Sequence, residues 1–85
     1  MKNIYFNTTN FYLASFIFAK GVELLNIDRI TDRRRAIFVF ADSSRAEELA
    51  HDFNYSKEDD EEVLVDSRKL IQSIKSLKEK LYQNN

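Results

Sequence analysis

Eighty-five residues, of which 44% are hydrophobic and 13% aromatic, suit one small domain and exclude a wholly disordered chain, although 32% of the residues are charged. The absence of Cys excludes a disulfide framework and thiolate chemistry, and a single Gly, Gly21, with no Pro excludes a glycine-rich phosphate cradle or a dinucleotide fingerprint. The net charge of −1 conceals segregation: +2 over 1–42, −7 over 43–66 and +4 over 67–85. Blocks of this kind read as solvated faces of one domain or as the footprint of a charged partner.

A domain of this size buries only about 60–65% of its unfolded surface, so it is marginal unless the core is rich or a partner helps. Lys2 is not followed by an apolar stretch with a small-residue cleavage site. The apolar run at 11–19 is shorter than the roughly 20 residues a membrane span needs, and the expectation is a cytoplasmic protein with no membrane contact.

In chain order, 2–6 offers an edge strand. Thr8, Thr9 and Asn10 supply capping oxygens before an apolar run that stops at Gly21, which predicts a helix over 10–20. That helix is apolar nearly all round, interrupted only by Ser15 and Lys20, so more than one side of it must be covered. Val22, Leu24, Leu25, Ile27 and Ile30 predict a strand over 22–30 with a bulge near Leu24 and Leu25. After a polar turn at 31–33, a second strand that starts at Arg35 or Ala36 and runs to Ala41 places Ala36, Phe38 and Phe40 on one face and Ile37, Val39 and Ala41 on the other. Two apolar faces predict a central strand covered on both sides, and the short connection predicts an antiparallel hairpin.

Ser44 to Glu47 matches a capping box, and Ala46, Leu49, Ala50 and Phe53 continue it as a helix that fades near Asn54. The acidic run at 57–62 reads as a charged loop, and it lacks the spaced ligands and turn Gly of a calcium loop. A short strand is expected at 63–65. Asp66 or Ser67 then caps a helix over 67–82, whose stripe of Leu70, Ile74, Leu77 and Leu81 is widened by Ile71. The expected fold is therefore one α+β domain over 1–85, in the order α-β-β-α-β-α, with a small three-stranded sheet whose antiparallel hairpin is packed by helices.

The chemistry-bearing residues are few. His51 is the single His and falls off the apolar face of its helix. With no second His and no Cys, no zinc-type site is expected, nor any other metal or cofactor. No carboxylate pair or Ser/His/Asp arrangement suggests catalysis. Arg33, Arg34 and Arg35, with Arg29 returning toward them, stand beside an aromatic strand, an arrangement that can hold phosphates while bases stack. The run at 34–40 is similar to the RNP1 pattern of RNA-recognition strands. It lacks that pattern's Gly, however, and carries Ala36 and Ile37 where aromatics are expected. The basic face of the last helix, with Arg68, Lys69, Lys75, Lys78 and Lys80, offers a second set of phosphate contacts.

The run from Phe11 to Phe16 leading into Lys20 and Gly21, the strand Arg34 to Phe40 and the closing helix from Leu70 to Tyr82 together resemble a family of small proteins of unknown function. These proteins are encoded by bacteria and by their viruses and mobile elements. The resemblance runs from about Thr9 to Tyr82, and the acidic run at 57–62 is longer than the pattern requires. It implies a phage or mobile-element origin and a role as a DNA-associated accessory or an assembly or host-interaction factor. It carries no functional residues across.

The leading expectation is a non-enzymatic interaction protein that self-associates as a homodimer. Phe11, Tyr12 and Phe18 on the first helix are its candidate interface. The alternative is a nucleic-acid-binding accessory that uses Arg29, Arg33, Arg34 and Arg35 together with the basic last helix. The two separate on whether both basic groups share one face.

Overall fold

The computed structural model describes residues 4–56 and 64–83. Its elements are β1 (Phe6–Thr8), α1 (Phe11–Ala19), β2 (Leu24–Asp28), β3 (Ile37–Phe40), α2 (Ser43–Tyr55) and α3 (Ser67–Gln83). The fold is α+β: three helices and a three-stranded antiparallel sheet in the order β1-β3-β2. β3 is central and antiparallel to both neighbours. β1 and β2 therefore run parallel on either side of it, joined through α1, while β2 and β3 form the expected hairpin.

Three helices and the hairpin follow expectation, but one strand is elsewhere. The third strand is β1 near the N-terminus, close to the edge strand expected at 2–6. Leu64 and Val65 make no strand. Phe6, Asn7 and Thr8 alternate in burial and pair with Phe40, Val39 and Phe38, so β1 adds an apolar inward edge directly before α1. Leu64 is instead held by its carbonyl, which accepts from the Lys20 ammonium at 2.6 Å. Val65 packs against the core as the chain approaches α3. Lys2, Asn3, the acidic run at 57–62 and Val63 lie outside the described residues.

Helix α1 organises the core. The Asn10 carboxamide oxygen accepts the Tyr12 and Leu13 N–H groups at 3.0 and 3.1 Å, and the Thr8 hydroxyl oxygen accepts the Asn10 N–H. The helix stops at Gly21, whose φ of 95° few other residues tolerate. The Gly21 and Val22 N–H groups close back onto Phe18 and Ile17, and Val22 enters the core. Five consecutive residues, Leu13 to Ile17, are buried, so the all-round apolar surface is covered as expected. The cover is intramolecular, from β1, α2 and α3 and from the Phe38 ring, 6.0 Å from that of Phe11. Ser15 is fully buried without penalty because its hydroxyl donates to the Phe11 carbonyl at 3.0 Å.

β3 departs from the expectation of cover on both sides. Phe38 and Phe40, 2% and 0% exposed, belong to the core. Ile37 and Val39 point the other way, beside Asn7, Asn26 and Asp28, half-buried and outside the core cluster. The reason is competition for helices: α1 needs covering all round and draws α2 and α3 to its own side of the sheet. The expected bulge in β2 lies between Leu24 and Asn26. The strands themselves are shorter than expected, leaving an eight-residue connection over 29–36.

One helix start shifts and another holds. α2 begins at Ser43, not at a Ser44 cap, because the Asp42 carboxylate accepts the Arg45 N–H at 3.2 Å from a left-handed backbone (φ 55°). Asp66 caps α3 through the Arg68 N–H at 2.8 Å. On α3, Leu77 and Ser73 are buried, whereas Ile71 is 51% exposed and does not widen the stripe.

Candidate nucleic-acid interface

The connection over 29–36 is ordered from within. The Asp28 carboxylate accepts the Ile30 and Thr31 N–H groups at 2.9 and 3.1 Å and the Thr31 hydroxyl at 2.6 Å. Those three donors, the hydroxyl foremost, hold its carboxyl below the usual carboxylate range. Asp32 repeats the device one turn later, accepting the Arg34 N–H at 2.9 Å. Both are turns closed by a side-chain oxygen, the local chemistry for which Asp is favoured in loops. The acidic residues thus spend hydrogen-bonding capacity on the backbone, while Arg29, Arg33, Arg34 and Arg35 are all exposed.

Arg29 fastens the loop to the rest of the domain: its guanidinium donates to the Leu81 carbonyl in the last turn of α3. Cations are favoured at a helix C-terminus, where unsatisfied carbonyls carry partial negative charge. Arg29 and Leu81 both line a half-open recess of about 340 Å³ whose walls also include Arg33, Arg34, Arg35, Asp32 and Tyr82. Lys80, one residue before Leu81, lines the neighbouring recess against Leu24, Leu25 and Asn26 on β2. The hairpin arginines therefore meet the C-terminal turn of α3 through Leu81 and Tyr82, while the basic side chains of that helix line no part of the recess. Arg68, at the other end of α3, pairs with Asp66 at 3.7 Å, the one ion pair among the described residues. None of the four loop arginines has a carboxylate partner among them.

The sheet itself offers no stacking platform. Phe38 and Phe40, the aromatics that made the strand similar to RNP1, face the core, and the outward residues of β3 are Ile37 and Val39. Of the candidate interface residues, Phe11 and Phe18 pack against the core and only Tyr12, 68% exposed, presents its ring. His51 sits exposed on α2, its ring 5.0 Å from Tyr55, along a shallow helix face with Glu47, Glu48 and Asp52. Among the described residues no three His or carboxylate groups are grouped to hold a metal ion, and no helix is long and apolar enough to cross a membrane.

Tyr82 is the residue that reading the sequence misses. Nothing local marks it, because its place beside the arginines depends on α3 packing along α1 so that its last turn reaches the hairpin connection. The chain belongs to the family described as a domain of unknown function (DUF5659), which matches residues 3–83. No curated protein and no solved structure matches it.

Proposed function

We propose that this member of the DUF5659 family is a non-enzymatic accessory protein that binds nucleic acid. It does so by phosphate contacts from the arginine loop and the adjoining end of α3. The observation that carries this reading is that four guanidinium groups without carboxylate partners line one recess with the C-terminal turn of α3. Guanidinium is the side chain best matched to phosphate, through its rigid fork of donors. The loop is braced by Asp28 and Asp32, so little ordering is left to be done on binding.

Asp32 offsets one of the four charges, leaving contacts for about three phosphates. That implies a salt slope near −2 to −3 and affinity in the weak, non-specific range of about 10⁻⁴–10⁻⁶ M at physiological salt. The setting this reading implies is the cytoplasm of a bacterium carrying a phage or mobile element, for which the resemblance noted above is the support.

The test is fluorescence anisotropy with single- and double-stranded oligonucleotides at about 50 mM salt, comparing the parent with Arg33→Ala/Arg34→Ala/Arg35→Ala. The parent binds and the triple variant loses most of that affinity. Absence of binding by the parent, or equal binding by the variant, removes the loop as a site.

A second reading, a homodimer, is favoured by one observation: Ile37 and Val39 form an apolar strip on the outer face of the sheet, outside the core. A second copy covering that face would also offset the small core of so short a chain.

A further inference from the structure

We infer that the arginine recess takes a single strand, with one base stacked on the Tyr82 ring and the adjacent phosphates held by Arg33, Arg34 and Arg35. This deepens the reading above and rests on it. Tyr82 is 71% exposed and makes no ring contact with another aromatic among the described residues, yet it lines the recess that the arginines line. An exposed aromatic next to unpaired cations is the pairing that single-strand binders use, because every base offers a π-face whatever its sequence.

The shape of the recess argues the same way. At about 340 Å³ it is concave and falls at the lower end of the range of small-molecule clefts, roughly 300–1,000 Å³. An unstacked base can enter such a space. A duplex keeps its bases stacked inside, so it presents only phosphates to the rim. The backbone that carries the ring is held in place, because the neighbouring Leu81 carbonyl accepts from Arg29 and Leu81 packs against the core. The guanidinium planes of the loop add a further surface on which bases stack. The outer sheet face carries Asn7, Asn26, Ile37 and Val39, with no run of aromatics to extend the platform. The site is therefore short, one or two bases long, and tolerant of sequence.

The chain has no Trp, so Tyr82→Trp introduces a single Trp at the site, excited selectively at wavelengths longer than the remaining tyrosines absorb. The probes are 12-nucleotide dT and rU strands, a 12-base-pair duplex, a 12-nucleotide abasic strand and inorganic polyphosphate. Binding of the dT or rU strand quenches the emission of Tyr82→Trp, and the duplex does not. By anisotropy Tyr82→Phe matches the parent on single strands, while Tyr82→Ala loses about 5- to 150-fold on them and little on the duplex. Three results would each overturn the inference and leave the arginine reading standing. They are equal affinity for the base-bearing and abasic strands, polyphosphate binding as tight as the dT strand, and single-strand binding unchanged in Tyr82→Ala. Failure of the parent to bind any of these probes instead overturns the underlying reading and the inference with it.

Discussion

The two faces of β3 should respond to mutation very differently. Phe38 is 2% exposed, pairs across the sheet with Thr8 and Ile27, and packs edge-on against Phe11 at 6.0 Å. Truncating it to Ala removes a whole ring from between the sheet and α1, and such changes cost about 3–5 kcal/mol. Eighty-five residues at roughly 0.05–0.15 kcal/mol each give a total stability of about 4–13 kcal/mol, so the loss is a large share of it. At about 4–8 °C per kcal/mol for a domain of this size, Phe38→Ala should lower Tm by at least about 12 °C. Val39 is the next residue, half-buried and outside the core, and Val39→Ala should cost on the order of 1 kcal/mol. The assay is urea and thermal unfolding followed by circular dichroism at matched protein concentration. A Phe38→Ala variant that melts like the parent, or a Val39→Ala variant equally damaged, would refute the division of the strand into an inner and an outer face.

The outer face carries a prediction of its own. If a second copy covers Ile37 and Val39, light scattering at micromolar concentration should give about twice the chain mass of 10.1 kDa, and Val39→Lys should restore the single-chain value. A constant single-chain mass for the parent would remove that reading. The loop is tested through Asp28, whose largest stabilising donor is the Thr31 hydroxyl. A folded-state pKa below the unfolded value means that bracing is complete above the ordinary carboxylate range and is lost as pH falls through the lowered value. Thr31→Val should therefore raise the Asp28 titration midpoint toward its ordinary value in a carbon-detected NMR titration. An unchanged midpoint would show that the hydroxyl contact does not hold the loop.

Much of this fold is written in local pattern. Asn10 and Gly21 bound α1 because a capping oxygen and a left-handed residue are short-range chemistry, and the bulge at Leu24 and Asn26 shows in the broken alternation of β2. Alternation along β3 separates Phe38 and Phe40 from Ile37 and Val39, but it cannot say whether one or both faces are covered. That depends on where α2 and α3 go, and the circumference of α1 decides it. The third strand differs from expectation for a related reason. Val63, Leu64 and Val65 have strand-forming side chains, whereas the edge strand expected at 2–6 overlaps β1 only at Phe6. At the site, the arginines were legible as a cluster, because they are adjacent in sequence. Tyr82 was not, because 46 residues lie between it and Arg35 and only the packing of α3 along α1 closes that distance.

On the proposed reading, a chain with net charge −1 would present a phosphate-binding surface because its charges are spent in different places. In the loop the carboxylates of Asp28 and Asp32 take N–H and hydroxyl donors of their own turns, which fixes the backbone. The guanidinium groups are left exposed and, Arg29 apart, without hydrogen-bond partners among the described residues. Local geometry then matters more than the total, since exposed charges farther apart than about 10 Å are largely screened at 0.1 M salt. The −7 block over 43–66 should therefore oppose long-range approach of a polyanion most strongly in dilute buffer, and short-range phosphate contacts should be least affected by it near physiological salt. Binding of this kind is weak and local, with a shallow salt slope, and it gains selectivity from whatever stands next to the cations. On the proposed reading that neighbour is the exposed Tyr82 ring, and stacking, not charge, would then separate one nucleic acid from another at this site.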